Sequence, residues 1–194
     1  GYKDVVEAWN ADKFDAKEWV SLFKEAGAKF VLTMAVHHDN FDMWDSKYQP
    51  KWNSTHYGPK VDVCKMIRDE TLKAGMRWGV TTHLERSYSW FQTNKGADKT
   101  GVKAGIPYDG NMLEYQDLYH EYPNFADLGP DFCQLRSPMV SPQSWKEMWK
   151  NRSIDLISRY HPDFFYIDGA LPYTDDGGKV GMEVESFFLN HNAE

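Results

Sequence analysis

The stretch Phe164-Phe165-Tyr166-Ile167-Asp168-Gly169 joins an apolar, aromatic run to a single carboxylate at its end. A helix-like segment, residues 144–160, and the short break His161-Pro162-Asp163 precede it. A helix, a break, a buried strand and an acid at the strand's carboxyl end form the order in which an α/β barrel presents a catalytic residue. The competing interpretation is a plain turn, because Asp-Gly is also a strong turn dipeptide. The other strand ends decide between the two.

Two further apolar runs are predicted as strands, and each ends in a polar cluster. Residues 29–35 (KFVLTMA) are continuously apolar, as in a strand that is covered on both faces of a parallel sheet, and they lead into His37-His38-Asp39. Residues 76–82 lead into His83-Leu84-Glu85-Arg86. Helical patterns separate the runs, so the sequence predicts an α/β fold of parallel strands alternating with helices.

The number of strands limits the architecture. A complete (β/α)8 barrel takes roughly 250 residues, whereas this sequence has 194 and shows three clear strands. We therefore expect residues 1–194 to be part of one TIM-like barrel domain, with a small open sheet as the alternative. Residues 84–142 are too long for an ordinary βα loop. Their many aromatic residues predict an inserted, folded subdomain over the site.

The first predicted helix has clear boundary signals. Asp15 is a suitable N-cap, with Glu18 three residues later, and Gly27 follows the last turn. Trp19, Leu22 and Phe23 then recur on one face. This spacing predicts that the three side chains pack into the core.

Composition excludes several classes of function. The formal net charge is -7 and no basic block is present, which disfavours nucleic acid as a partner. No apolar run is long enough to span a membrane. The two cysteines, Cys64 and Cys133, lack metal-ligand spacing, and Cys64 is predicted to be a buried helical thiol. Aromatic residues make up 15% of the chain, which is a high share. Aromatic rings often line carbohydrate sites, although they also fill cores.

Asp168 is the first candidate for a catalytic residue. It is the only carboxylate placed directly after a strongly apolar strand, where a nucleophile is held rigidly. Glu85 could be a second catalytic carboxylate or an ion-pair partner of Arg86. Asp39, Asp42 and Asp45 have the pattern of turn or cap residues. The four carboxylates other than Asp168 thus keep a structural alternative.

His37, His38 and His83 are candidate ligand-binding residues. Neighbouring side chains on a strand point to opposite faces, so the pair His37-His38 chelates one metal ion only if the strand has already ended. We therefore expect no metal and no other cofactor, and prefer hydrogen bonds from the histidines to substrate hydroxyl groups. Trp44 and Tyr166 could stack on the apolar face of a sugar, and each could equally be a core residue.

These stretches resemble a known family. Phe14-Asp15-Ala16-Lys17-Glu18-Trp19, Ala26-Gly27-Ala28-Lys29-Phe30, His37-His38-Asp39-Asn40-Phe41 and Trp44-Asp45-Ser46 are similar to motifs of the α-L-fucosidases of glycoside hydrolase family 29. The similarity covers most of residues 10–80 and 150–170. Val36 and Asn40 stand where that family usually has Lys and Gly.

The resemblance implies a retaining exo-α-L-fucosidase, built on a (β/α)8-like barrel, that acts on a fucosylated oligosaccharide or glycoconjugate without a cofactor. It implies that Asp168 is the nucleophile and that His37 and His38 bind fucose hydroxyl groups. Trp44, His83 and Tyr166 are then expected to line the sugar pocket. A secreted, periplasmic or lysosomal protein is expected from the same resemblance.

The resemblance also predicts what is missing. The family's His-Trp-Gly segment has no counterpart before residue 1, and Glu183 and Glu185 follow Asp168 too closely to be its acid/base partner. We therefore expect an incomplete catalytic domain, with the rest of the barrel supplied by the parent chain or by another chain. The alternative in a different class is an inactive barrel domain that binds fucose or another carbohydrate. A metal-dependent hydrolase that uses the histidine pair is a third, weaker hypothesis.

Overall fold

The computed structural model describes residues 1–92, 94–121, 141–168, 173 and 177–191. Three parallel strands form one sheet in the order β1 (Phe30–Val36), β2 (Arg77–Thr82) and β3 (Phe164–Ile167). The described α-helices are α1 (Tyr2–Ala8), α2 (Ala16–Glu25), α3 (Val63–Lys73), α4 (Ser87–Gln92), α5 (Gln116–Tyr119), α6 (Gln143–Tyr160) and α7 (Lys179–His191). The predicted α/β class with parallel strands is confirmed.

The helix boundaries follow from local chemistry. Asp15 caps α2 by accepting a hydrogen bond from the backbone N–H of Glu18, as its sequence predicts, and Asp62 caps α3 in the same way. Gly27 follows α2 with a φ of 92°, a conformation that glycine adopts without strain. His161 ends α6 in the left-handed region, and Asp163 then accepts a hydrogen bond from the N–H of Trp78. The break before β3 is therefore fixed to β2.

The main core lies between one face of the sheet and the helices. Trp78 and Val80 of β2 are buried there, and Trp78 donates a hydrogen bond from Nε1 to Oγ1 of Thr33. Cys64 is a buried free thiol within α3, as predicted, whereas Cys133 lies outside the described residues. The packing fixes the three strands relative to α3 and α6.

The opposite face of the sheet is open, which corrects the prediction that β1 is covered on both faces. Phe30, Leu32 and Met34 of β1 are exposed, and so are Phe164 and Tyr166 of β3. Parallel pairing places Leu32 and Phe164 in one row across β2, and Met34 and Tyr166 in another. A continuous apolar run therefore identifies a strand here. It does not predict which face of the sheet the described part of the chain covers.

A second correction concerns α2. Trp19, Leu22 and Phe23 are exposed, whereas Ala16 and Val20 are the buried residues of that helix. The three apolar side chains do share one face of α2, as predicted. That face does not enter the core but lies beside the outer edge of β1. Trp19 and Phe23 line a cavity of about 340 Å³ there, together with side chains of β1.

The described residues of the predicted insertion contain four 3-10 helices and two short α-helices. Phe91, Leu118 and Tyr119 pack with Val6 and Trp52 in a second apolar cluster, separate from the main core. Residues 122–140, with Tyr122 and Cys133, lie outside the described residues. The structure also contains α1, a helix that sequence reasoning did not predict. Among the described residues, no helix is both long and apolar enough to cross a membrane.

Candidate active site

The sheet register brings the three predicted polar strand ends side by side. Val36, Thr82 and Ile167 are direct partners across β1, β2 and β3. The next residue of each strand is therefore His37, His83 or Asp168. The backbone continues the ladder by one step, because the N–H of Asp168 donates to the carbonyl of Thr82 over 3.3 Å. A parallel sheet thus presents two imidazoles and one carboxylate at one edge.

His38 completes a compact histidine cluster. The ring centroids of His37 and His38 are 4.2 Å apart, and those of His37 and His83 are 4.5 Å apart. The strand ends at Val36, so the two adjacent histidines no longer alternate between faces. The sequence left open whether the strand ends before the histidine pair, and it does. His37 and His38 can therefore face the same side, and all three rings face a common point.

The backbone and Asp168 orient the rings. Nδ1 of His38 lies 2.7 Å from the carbonyl oxygen of His83, a hydrogen bond in which the nitrogen carries the proton. Nδ1 of His83 lies 3.1 Å from Oδ2 of Asp168, a close polar contact without the alignment of a hydrogen bond. The hydroxyl of Tyr166 donates to Oδ1 of Asp168 over 3.4 Å. Each carboxylate oxygen therefore has a named neighbour, while Asp168 remains 54% exposed at its side chain.

Burial sets the charge of the histidines. Partial burial lowers the pKa of His38, because the charged ring is removed from water. Burial also lowers the pKa of His83, as does the neighbouring His37, while Asp168 acts in the opposite direction. Both rings are therefore neutral at pH 7, where each offers one donor and one acceptor nitrogen.

The structure does not bring Trp44 to this group. Its side chain is completely buried in the main core, and Nε1 donates a hydrogen bond to Oδ2 of Asp155 over 3.0 Å. In this conformation the indole presents no surface to a ligand. Trp90 of α4 lies near the cluster instead, with its ring centroid 5.1 Å from that of His38. Sequence reasoning noticed Trp90 only as one of many aromatic residues in the insertion.

A buried polar network holds the loop that carries the histidines. Arg152 of α6 forms an ion pair with Asp42, and its Nη1 donates to Oδ1 of Asn40 over 2.5 Å. The amide of Asn40 also donates to the carbonyl of Leu118 over 2.9 Å. Asn40 has a φ of 61°, in the left-handed region that asparagine tolerates better than most residues. The network ties β1, α6 and the insertion together at the base of the site.

Asp42 corrects a sequence-based interpretation. The pattern assigned it to a turn or cap, but its side chain is fully buried beside Arg152. Burial raises the pKa of Asp42 to about 7, although Arg152 favours the charged form. No local signal in the sequence pairs residue 42 with residue 152, because the contact depends on how α6 packs.

Glu85 lies close to the cluster but does not open onto it. Its side chain is 1% exposed, and neither carboxylate oxygen has a hydrogen-bond partner among the described residues. Burial raises the pKa of Glu85 to about 7, with the charge of Asp168 adding to the rise. Such a pKa suits a general acid, but both oxygens are shielded from solvent. Accessibility therefore argues against Glu85 as the proton donor.

Comparison with known proteins identifies the family. The chain is 31% identical over 158 residues to the α-L-fucosidase of Dictyostelium discoideum, which covers 79% of this chain and 34% of that protein. It is 28% identical over 174 residues to the tissue α-L-fucosidase of Rattus norvegicus, which covers 90% of this chain and 29% of that protein. The chain thus spans about a third of the length of these relatives.

Solved structures show the same fold. The α-fucosidase of Thermotoga maritima in complex with fucose superposes with a TM-score of 0.63 at 23% identity, over 98% of this chain and 37% of that one. The family 29 α-L-fucosidase of Bacteroides thetaiotaomicron superposes with a TM-score of 0.62 at 20% identity, over 97% and 34% of the two chains. The sequence model of the α-L-fucosidase family matches residues 1–193, and the chain belongs to that family.

Proposed function

We propose that the chain forms part of a retaining exo-α-L-fucosidase, which hydrolyses terminal α-L-fucosyl linkages through a covalent glycosyl-enzyme intermediate. The observation that carries this proposal is the shared edge of three strands, where Asp168 lies 3.1 Å from His83. The neutral rings of His38 and His83 match an uncharged sugar, whose hydroxyl groups need donors and acceptors together. Fucosidase relatives support the substrate class.

In the proposed mechanism Asp168 is the nucleophile. One of its oxygens forms a bond to the anomeric carbon while the bond from that carbon to the aglycone oxygen breaks, and the leaving oxygen takes a proton from a general acid. Water then gives a proton back to the deprotonated general acid and attacks the same carbon, which breaks the bond to Asp168, releases the carboxylate and restores the original anomeric configuration. Tyr166 and His83 hold the two oxygens of Asp168 during these steps, whereas His37 and His38 bind sugar hydroxyl groups. Trp44 is buried in the main core and is given no contact with the sugar in this proposal.

We assign the general acid to a part of the protein outside the described residues. Glu85 is too buried to reach a leaving group. A retaining glycosidase needs its two carboxyl groups about 5–5.5 Å apart. The general acid is therefore expected to lie opposite Asp168, on the open side of the histidine cluster.

The rest of a (β/α)8-like barrel is proposed to cover the exposed sheet face. The open face carries Leu32 and Phe164, whose side chains approach each other over Gly79. A Cβ on Gly79 would lie 2.6 Å from Leu32 and 2.7 Å from Phe164, so glycine permits this close apolar packing. Interior side chains of a barrel pack in such layers. The insertion, with Trp90 beside His38, is placed to set the preference for the aglycone.

The test is Asp168→Ala in the full-length protein with an aryl α-L-fucoside as substrate. We expect kcat to fall by about six orders of magnitude, as when a serine protease loses its nucleophile. Added azide should restore turnover and give the β-fucosyl azide, because azide attacks the carbon from the side that Asp168 vacated. The exposed His56 is a matched control, and His56→Ala should retain full activity. Undiminished hydrolysis by Asp168→Ala would refute the assignment.

The alternative is an inactive domain that binds fucose. It shares the histidine cluster, so the two hypotheses differ only in turnover. Calorimetry with fucose, run beside the hydrolysis assay, separates them. Binding by the full-length protein without hydrolysis of any fucoside supports the alternative.

A further inference from the structure

We infer that His37, His38 and His83 form a binding site for one zinc ion, or a similar late transition-metal ion, which occupies the place of the sugar. Each ring offers a nitrogen, and the three nitrogens lie within 4.8 Å of one another. The ion is an inhibitor in this proposal and takes no part in hydrolysis. Only the inhibition rests on the proposed function; the metal site itself stands on the geometry of the cluster.

The distances are close to those of a zinc site. Zn–N bonds of 2.0–2.1 Å in a tetrahedron place ligand nitrogens about 3.4 Å apart. The observed upper limit of 4.8 Å therefore requires the rings to approach by about 1.4 Å at most. His37 follows the last residue of β1 and His83 the last residue of β2, so side-chain rotation can supply this movement without a change in the sheet.

The surroundings of two rings are those of metal-binding histidines. Such residues usually direct their second ring nitrogen to a backbone carbonyl or a carboxylate, which fixes the tautomer. Nδ1 of His38 donates a hydrogen bond to the carbonyl of His83 over 2.7 Å, and Nδ1 of His83 lies 3.1 Å from Oδ2 of Asp168, from where a rotation of the ring would align a hydrogen bond. Nε2 of each ring is then left to bind the ion. Asp168 also supplies negative charge beside the cation.

An ion in this place excludes the sugar. His37 and His38 would use the same nitrogens for zinc as for sugar hydroxyl groups, and Asp168 would be drawn toward the cation. Zinc is therefore expected to raise the apparent KM for an aryl α-L-fucoside with little change in kcat. A chelator should reverse the effect.

The test uses full-length, tag-free protein that has been treated with a chelator. Zinc titration by calorimetry should show one equivalent bound, and cobalt should give the intense visible absorption of tetrahedral Co²⁺. His83→Asn and His37→Asn each remove a ligand and should weaken binding by more than the roughly 10- to 100-fold that is typical for loss of a residue that only supports a ligand. His56→Ala is the exposed control and should bind zinc as the wild type does. His161→Ala is a second control, because His161 stacks on His191 with centroids 4.6 Å apart.

The outcomes separate this inference from the proposed function. A wild-type protein that binds no zinc in large excess overturns the site, whether or not it hydrolyses fucosides. Zinc binding that is lost in His161→Ala but kept in His83→Asn also overturns it. Stoichiometric binding in a protein without hydrolytic activity supports the site and counts against the proposed enzyme. The wild-type titration does not depend on the folding of any variant.

Discussion

Replacing Arg152 by Met should strongly destabilise the protein. The Arg152 side chain is 1% exposed and Asp42 is completely buried. Met retains much of the apolar volume but removes the guanidinium, which leaves the carboxylate of Asp42 buried without its cation. It also removes the hydrogen bond to Asn40.

The magnitude follows from that burial. Breaking a buried ion pair on one side costs about 3–5 kcal/mol, mostly because the remaining charge is unpaired in the interior. For a chain of this length each kcal/mol shifts Tm by about 2–4 °C, so the shift should be about 6–20 °C. Arg159→Met is the matched control on the same helix. Its side chain is 36% exposed, and its surface ion pairs should contribute less than about 1 kcal/mol.

The pH dependence gives the same prediction a second readout. Burial already raises the pKa of Asp42 to about 7 in the folded protein, and loss of Arg152 raises it further. Between the unfolded pKa and this folded pKa, the folded state binds more protons than the unfolded state, so stability falls as pH rises. The loss in Arg152→Met should therefore be smaller at pH 5 than at pH 8.

Urea denaturation at both pH values measures these quantities. The double variant Asp42→Asn/Arg152→Met completes a cycle, and it should be more stable than the sum of the two single losses predicts. A loss in Arg152→Met no larger than that in Arg159→Met would refute the reasoning. Equal losses at pH 5 and pH 8 would refute the pKa argument on their own.

Two further predictions concern Glu85, which lies near the histidine cluster, and Trp44, which lies in the main core. Glu85→Gln should make the protein more stable at pH 8, by on the order of 1–3 kcal/mol in urea denaturation. The reason is that the raised pKa of Glu85, about 7, makes the wild-type protein lose stability as pH rises from about 4.5 to 7. A variant that keeps the wild-type pH dependence would contradict this. Trp44→Phe should lower the free energy of unfolding by about 1–3 kcal/mol, because packing and the hydrogen bond to Asp155 are lost. The affinity for fucose, measured by calorimetry, should stay unchanged. A weakened affinity with unchanged stability would instead indicate that Trp44 lines the proposed sugar pocket.

The strands and the helices that alternate with them were predictable because their signals are local. Asp15 and Gly27 bracket α2, and the apolar runs identified β1, β2 and β3. Which side of an element is covered was not predictable in the same way. Trp19 of α2 and Leu32 of β1 are apolar by pattern but exposed, because coverage depends on elements that pack from elsewhere.

Within the site, the residues at strand ends were predictable and their partners were not. His37, His83 and Asp168 follow from the strand ends, since parallel strands bring their carboxyl ends to one edge. Trp44 and Trp90 show where this reasoning stops. Both are aromatic residues near polar clusters in sequence, but Trp44 packs in the core while Trp90 lies beside His38. Only the path of the insertion distinguishes them.

Asn40 shows why the loop and its support must be considered together. In the resembling family glycine usually stands at this position, where φ is positive, and Asn keeps that backbone conformation while adding a side chain. The added side chain binds Arg152 and the carbonyl groups of the insertion. The orientation of the histidine loop is thereby coupled to α6 and to the insertion, instead of depending on the loop backbone alone. A change in Arg152 should consequently reach His37 and His38 through Asn40, although Arg152 contacts neither ring.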